Sequence, residues 1–173
     1  AQASILKSFQ DIEGWLAGQG SQYILPEFLE HYLYDDYWAQ VNLAEKAENV
    51  NVPAYHIGGW YDIFTQETLD AYDLYQHKGG EGARGKQFLM MGPWAHSGMG
   101  AREQGELVFP ENAMDYKTDD DLDYWVLFLF NYLRGYFSLE DIPTVIYYLM
   151  GDVDDPKAPG NEWVPAEDWP PEY

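Results

Sequence analysis

The two stretches that decide the fold of this chain are Gly58-Gly59-Trp60-Tyr61-Asp62-Ile63-Phe64 and Met91-Gly92-Pro93-Trp94-Ala95-His96. Each comes at the end of a short apolar segment, residues 53–57 in the first case and residues 87–91 in the second. Such segments predict buried β-strands. A carboxylate at Asp62 and an imidazole at His96 therefore follow two successive strands directly.

An acid and then a histidine at successive strand ends match the last two members of a Ser…Asp…His triad in α/β-hydrolase chain order. His96 could take a proton from a hydroxyl, and Asp62 could accept a hydrogen bond from the imidazole Nδ1–H. A turn or helix-capping role explains Asp62 equally well on spacing alone. No Gly-x-Ser-x-Gly motif occurs in the 173 residues, so the nucleophile is expected outside this chain.

The alternation of strand and helix patterns favours an α/β fold built from parallel βα units. A helical period at residues 65–77 separates the two strands, and residues 98–113 have a loop-like composition. Two strands make a poor sheet, so the fold needs more strands than this sequence provides. A β-type run at residues 143–150 and a Pro- and Trp-rich end predict that residues 141–173 begin a separate β-domain.

An adjacent acidic pair, Asp35 and Asp36, lies among Tyr34, Tyr37 and Trp38. Such a patch could hold a substrate ammonium group beside aromatic walls. The pair could instead provide the N-cap and the first-turn acid of the helix that follows, and this interpretation is favoured.

The net charge of −21 arises from 30 acidic and 9 basic residues. Such a surface repels phosphate, which argues against nucleic-acid and membrane-surface partners. The absence of cysteine excludes disulfides and thiolate catalysis, and no histidine pair has the spacing of metal ligands. We expect neither a metal nor another cofactor. A non-catalytic, acidic and aromatic-rich module that binds a ligand remains the alternative to an enzyme.

Taken together, residues 34–38, 58–64 and 91–96 resemble the CocE/NonD serine hydrolases, a family of cocaine esterase, α-amino acid ester hydrolase and X-Pro dipeptidyl aminopeptidase types. The resemblance implies the C-terminal part of an α/β-hydrolase sheet with a helical cap and a β jelly-roll domain. Residues 1–50 would be the end of the cap, residues 51–140 the last βα units, and residues 141–173 the start of the jelly roll.

The resemblance also implies roles for individual side chains. Asp62 and His96 match the acid and base of the triad, while Trp60 and Phe64 are placed with Asp35 and Asp36 among the substrate-binding residues. The expected function is that of a serine esterase, amidase or peptidase acting on a small-molecule ester or amide. Its nucleophile would come from the N-terminal half of the same enzyme, and open sheet edges make a homo-oligomer possible.

Overall fold

The computed structural model describes residues 25–114, 122–136, 138–140, 142–155 and 157–171. Residues 1–24 of the predicted cap lie outside this part of the chain. Contacts divide the chain into two units, Ala1–Glu45 and Lys46–Tyr173. In the first unit, helix α1 spans Leu25–Glu30 and helix α2 spans Asp36–Ala39.

The second unit alternates strands with helices. Its elements in chain order are β1 (Ala54–Gly59), α3 (Thr65–Lys78), β2 (Gln87–Gly92), β3 (Glu103–Gln104), β4 (Leu107–Val108), α4 (Tyr124–Arg134), β5 (Val145–Leu149) and β6 (Glu162–Ala166). Short 3-10 helices lie at His96–Gly98 and Glu111–Ala113. None of the helices in the described ranges is long and apolar enough to cross a lipid bilayer.

One sheet carries the candidate site, and its strand order is β1–β2–β5–β6. Strand β2 pairs in parallel with β1, with Tyr55 opposite Phe88, and in parallel with β5, with Leu89 opposite Val145. The predicted α/β arrangement of parallel strands is confirmed. Because β1 and β2 run in the same direction, the segments that follow them leave the sheet at the same edge.

Strand β2 is buried along its whole length. Leu89 and Met91 pack with Tyr72 of α3 on one face of the sheet. Phe88 packs with Phe128 of α4 in a second cluster. A parallel strand whose side chains are apolar on both faces of the sheet is typical of the interior of an α/β sheet, where helices cover both faces.

The assignment of residues 141–173 to a separate β-domain differs from what the structure contains. Strand β5 pairs with β2, and β6 then pairs antiparallel to β5, so both strands continue the α/β sheet. A β-type composition predicts extended backbone but does not identify the pairing partner, which here lies more than fifty residues earlier in the sequence. The jelly-roll domain is not confirmed and stays a prediction.

Residues 98–113, whose composition is loop-like, contain a small antiparallel hairpin. Strands β3 and β4 pair with Glu103 opposite Val108 and Gln104 opposite Leu107. Gly105 in the connecting turn has a φ of 64°, a left-handed conformation that glycine adopts at little cost. Two-residue strands are too short to show the alternating pattern from which a strand is predicted.

Candidate active site

The segments that follow β1 and β2 are held together by their backbones. The N–H of Trp60 donates to the carbonyl oxygen of Gly92 at 2.9 Å, and the N–H of Tyr61 donates to that of Trp94 at 3.0 Å. This contact needs glycine at residue 59, because a Cβ there would lie 2.0 Å from the Trp94 oxygen. Gly59 thus allows the two strand exits to approach closely.

Asp62 sits in a tight turn between β1 and α3. Its Oδ1 accepts the backbone N–H of Phe64 at 2.9 Å, and its own N–H donates to the carbonyl of Gly59 at 3.1 Å. The side chain is only 6% exposed. The Phe64 N–H and, after it, the contact with His96 hold the pKa of Asp62 below its usual value, although partial burial opposes this effect. The carboxylate is therefore ionised at neutral pH and can only accept hydrogen bonds.

His96 opens the 3-10 turn that follows β2, and its imidazole faces Asp62. The Nδ1 atom lies 3.1 Å from both carboxylate oxygens. Because an ionised carboxylate has no proton to donate, Nδ1 must carry the hydrogen, which leaves Nε2 as the basic nitrogen of the neutral ring. The His96 side chain is 60% exposed, so Nε2 belongs to a ring that a substrate can approach.

The two aromatic residues predicted to bind substrate lie in different surroundings. The ring of Phe64 meets the His96 imidazole edge to face, with centroids 5.2 Å apart, and it is half exposed. Trp60 instead packs against the core cluster that includes Tyr72 and Leu89, and its indole N–H donates to the carbonyl of Tyr148 at 2.8 Å. These contacts favour a packing role for Trp60 over the predicted contact with substrate.

The acidic pair of residues 35 and 36 belongs to the first unit. Asp35 is the N-cap of α2, and its carboxylate accepts the N–H of Tyr37 at 2.9 Å. The same carboxylate contacts His31 Nδ1 at 2.7 Å, and this hydrogen bond lowers the pKa of Asp35 and raises that of His31. Asp36 lies in the first turn of the helix. Both positions fit the helix-start interpretation that the sequence favours.

A polar residue that sequence reasoning missed lies beneath the His96 turn. Gln104 of β3 is 7% exposed, and its carboxamide makes three hydrogen bonds to the backbone of residues 95–101. Only the hairpin brings it there, and the sequence contains no signal for that hairpin beyond Gly105. Within the described part of the chain, no group of three or more acidic or histidine side chains is arranged to hold a metal ion.

Parallel strands with helices between them, and an acid beside a histidine at two adjacent strand exits, are features of the α/β-hydrolase class of folds. The sequence profile of the X-Pro dipeptidyl-peptidase (S15) family matches residues 4–98, a range that contains both Asp62 and His96. Since this match covers more than half of the chain, the chain belongs to that family.

Cocaine esterase from Rhodococcus sp. (strain MB1 Bresler) is 28% identical to the chain over 156 residues, which are 90% of this chain and 24% of that protein. The chain thus spans about a quarter of the length of the curated relative that it matches. The resemblance to the CocE/NonD serine hydrolases is confirmed by these two findings.

Proposed function

We propose that this chain supplies the base and the orienting acid of a serine acyl hydrolase. The observation that carries the proposal is the contact of His96 Nδ1 with both oxygens of the nearly buried Asp62 carboxylate, at 3.1 Å. In a Ser-His-Asp triad, this contact selects the tautomer whose Nε2 can accept a proton and stabilises the imidazolium that then forms.

The reaction follows from this tautomer. His96 Nε2 takes the hydroxyl proton of a serine as the serine oxygen bonds to the acyl carbon of an ester or amide. The imidazolium gives that proton to the departing alcohol or amine, which leaves an acyl-enzyme. A water molecule then attacks the acyl carbon while His96 Nε2 takes its proton. The bond between the serine oxygen and the acyl carbon breaks, the imidazolium returns the proton to the serine oxygen, and the acid is released. Asp62 stays ionised throughout and keeps the imidazole oriented.

The serine is proposed to lie in another segment of the same enzyme. The chain has no Gly-x-Ser-x-Gly motif, and it spans about a quarter of its relative. Among the strands that the structure describes, β1 pairs with β2 alone, so its outer edge is open to a further parallel strand. An edge strand presents a row of unpaired N–H and C=O groups, which can pair with a further strand. We propose that the strand carrying the nucleophile enters on this side.

The substrate is proposed to be a small ester or amide. Phe64 stands against the His96 ring and would form an apolar wall for the acyl or leaving group.

A fluorophosphonate probe tests this proposal because it forms a covalent bond only with an activated serine. The full-length protein encoded by the gene should be labelled once, on a serine outside residues 1–173, and the isolated chain should stay unlabelled. His96→Ala should slow labelling of the full-length protein by orders of magnitude. His77→Ala is the matched control, since His77 lies on α3 against Asp73 and Asp168.

Two results would contradict the proposal. One is a stoichiometric adduct on a serine of this chain, which mass spectrometry of peptides would locate. The other is equal labelling rates for His96→Ala and the wild-type protein.

A further inference from the structure

The turn that carries His96 makes three hydrogen bonds with one buried side chain, Gln104. The Oε1 atom of Gln104 accepts the N–H of Ala95 at 2.8 Å. Its Nε2 atom donates to the carbonyls of Gly98 at 2.7 Å and Ala101 at 2.8 Å. Both N–H groups and the oxygen of the carboxamide are thus used, and all three partners lie in the backbone next to His96.

The hydrogen-bond partners of the Gln104 carboxamide allow only one of its two flipped orientations. Two backbone carbonyls require N–H donors, and the backbone N–H of Ala95 requires an acceptor, so a flipped amide would lose all three hydrogen bonds. The side chain is 7% exposed, so water does not easily replace the lost partners. Leaving such buried groups unpaired is costly. The turn is therefore tied to the geometry of one glutamine.

The hairpin β3–β4 fixes the position of that glutamine. Gln104 pairs with Leu107 across the hairpin, and the base of the hairpin is closed by two contacts between Arg102 and Phe109. Gly98 lies directly against the carboxamide, since a Cβ at Gly98 would lie 2.7 Å from Oε1. The hairpin thus brings a side chain of defined orientation against the His96 turn.

We propose that Gln104 is a positioning residue for His96, which holds residues 95–101 so that the imidazole keeps Nδ1 against Asp62. Its importance for catalysis rests on the proposed function of the His96–Asp62 pair, but its effect on the position of the imidazole does not. A displacement of about 1 Å in a reacting group can cost about 10²-fold in rate. Loss of the Gln104 contacts should therefore lower kcat strongly and affect substrate binding little.

The test uses two separate variants of the full-length protein. Gln104→Met removes all three hydrogen bonds of the carboxamide at similar side-chain volume. Gly98→Ala keeps the carboxamide but displaces it. Gln66→Met is the control, since Gln66 is an exposed residue of α3 whose amide donates to Asp70. Two quantities are measured for an ester substrate, kcat and KM. A third is the low-field proton resonance of His96 Nδ1–H, assigned by its loss in Asp62→Asn.

We expect both variants at Gln104 and Gly98 to lower kcat by about 10- to 100-fold with KM changed less than threefold. The Nδ1–H resonance should weaken or disappear in both, and Gln66→Met should match the wild type. If Gln104→Met does not fold, Gly98→Ala decides. Unchanged kcat and an unchanged resonance in the folded variants would overturn the proposal, as would a loss of thermal stability without the split between kcat and KM.

The outcome also separates this proposal from the proposed function. If the wild-type protein neither hydrolyses esters nor reacts with a fluorophosphonate, the proposed function fails. The Nδ1–H resonance still decides whether Gln104 positions the imidazole in that case.

Discussion

Gly59 lies so close to Trp94 that a Cβ at residue 59 would stand 2.0 Å from the Trp94 carbonyl oxygen. That oxygen accepts the N–H of Tyr61, and Asp62 follows one residue later. Trp94 itself is 2% exposed, and its indole N–H donates to the carbonyl oxygen of Ala113, so the Trp94 backbone has little freedom to move away from Gly59. The distance between Asp62 and His96 is therefore set by a contact between backbones.

Gly59→Ala should lower the free energy of unfolding by roughly 3 kcal/mol or more, which is the upper end of the usual cost of overpacking a core. The cost is high because a backbone carbonyl, rather than a flexible side chain, must move. The measurement is the thermal unfolding midpoint together with the soluble yield. Gly85→Asn is the control, since Gly85 has a φ of 71° that asparagine tolerates, and no atom lies within 4 Å of a Cβ there. A stable Gly59→Ala protein with wild-type activity would contradict this account of the strand exits.

Trp60→Phe separates the packing role of Trp60 from its predicted contact with substrate. The variant keeps an aromatic ring beside Trp169 but removes the N–H that the Tyr148 carbonyl accepts. We expect a loss of about 1–3 kcal/mol in the free energy of unfolding, the usual cost of an unpaired buried polar group. The KM for an ester substrate should stay within about twofold of wild type. A large rise in KM at unchanged stability would return Trp60 to the substrate-binding residues.

His56 should make the stability of the protein depend on pH. Burial lowers the pKa of His56 below its ordinary 6.5, and a hydrogen bond to Gln87 opposes this only in part. The Nε2 of His56 lies 3.1 Å from Gln87 Oε1, whose amide nitrogen already donates to the backbone of Val52 and Ala83. The ring is therefore held neutral, with its proton on Nε2.

Acidification should lower the stability, because the unfolded state binds a proton more readily than the folded state when the pKa of His56 is depressed in the folded protein. The stabilising contribution is full above about pH 6.5 and is lost as the pH falls through the folded-state pKa. His56→Gln should show a shallower loss of stability between pH 7 and pH 5 than wild type in urea unfolding at each pH. Parallel curves for the two proteins would rule out this role for His56.

The site was more predictable than the elements around it. The carboxyl ends of parallel strands leave a sheet at one edge, so two adjacent strand exits that carry an acid and a histidine predict contact between them. The identity of the neighbouring strand could not be predicted in the same way, because extended backbone pairs with any compatible edge. Strand β5 therefore joins β2 in the structure, although its composition indicated a separate β-domain.

The N-cap role of Asp35 follows from a local pattern, whereas the substrate-binding role that the resemblance implies stays a prediction. An aspartate one residue before a helix is an N-cap on physical grounds, and Asp35 accepts the Tyr37 N–H as such a cap does. Gln104 had no comparable signal, since its partners are backbone groups that any sequence provides. Its role depends on a hairpin of two-residue strands, which only the folded structure places beneath residue 96.

The most direct test of the His96–Asp62 pair is the kcat of Asp62→Asn in the full-length protein. The asparagine amide occupies the same space but offers a donor to Nδ1, which favours the tautomer with Nε2 protonated and unable to take a proton from serine. The matched control is Asp70→Asn, at an exposed position on α3. We predict that Asp62→Asn lowers kcat by about 10⁴-fold and that Asp70→Asn leaves it unchanged. A kcat for Asp62→Asn within tenfold of wild type would contradict the central role of this pair.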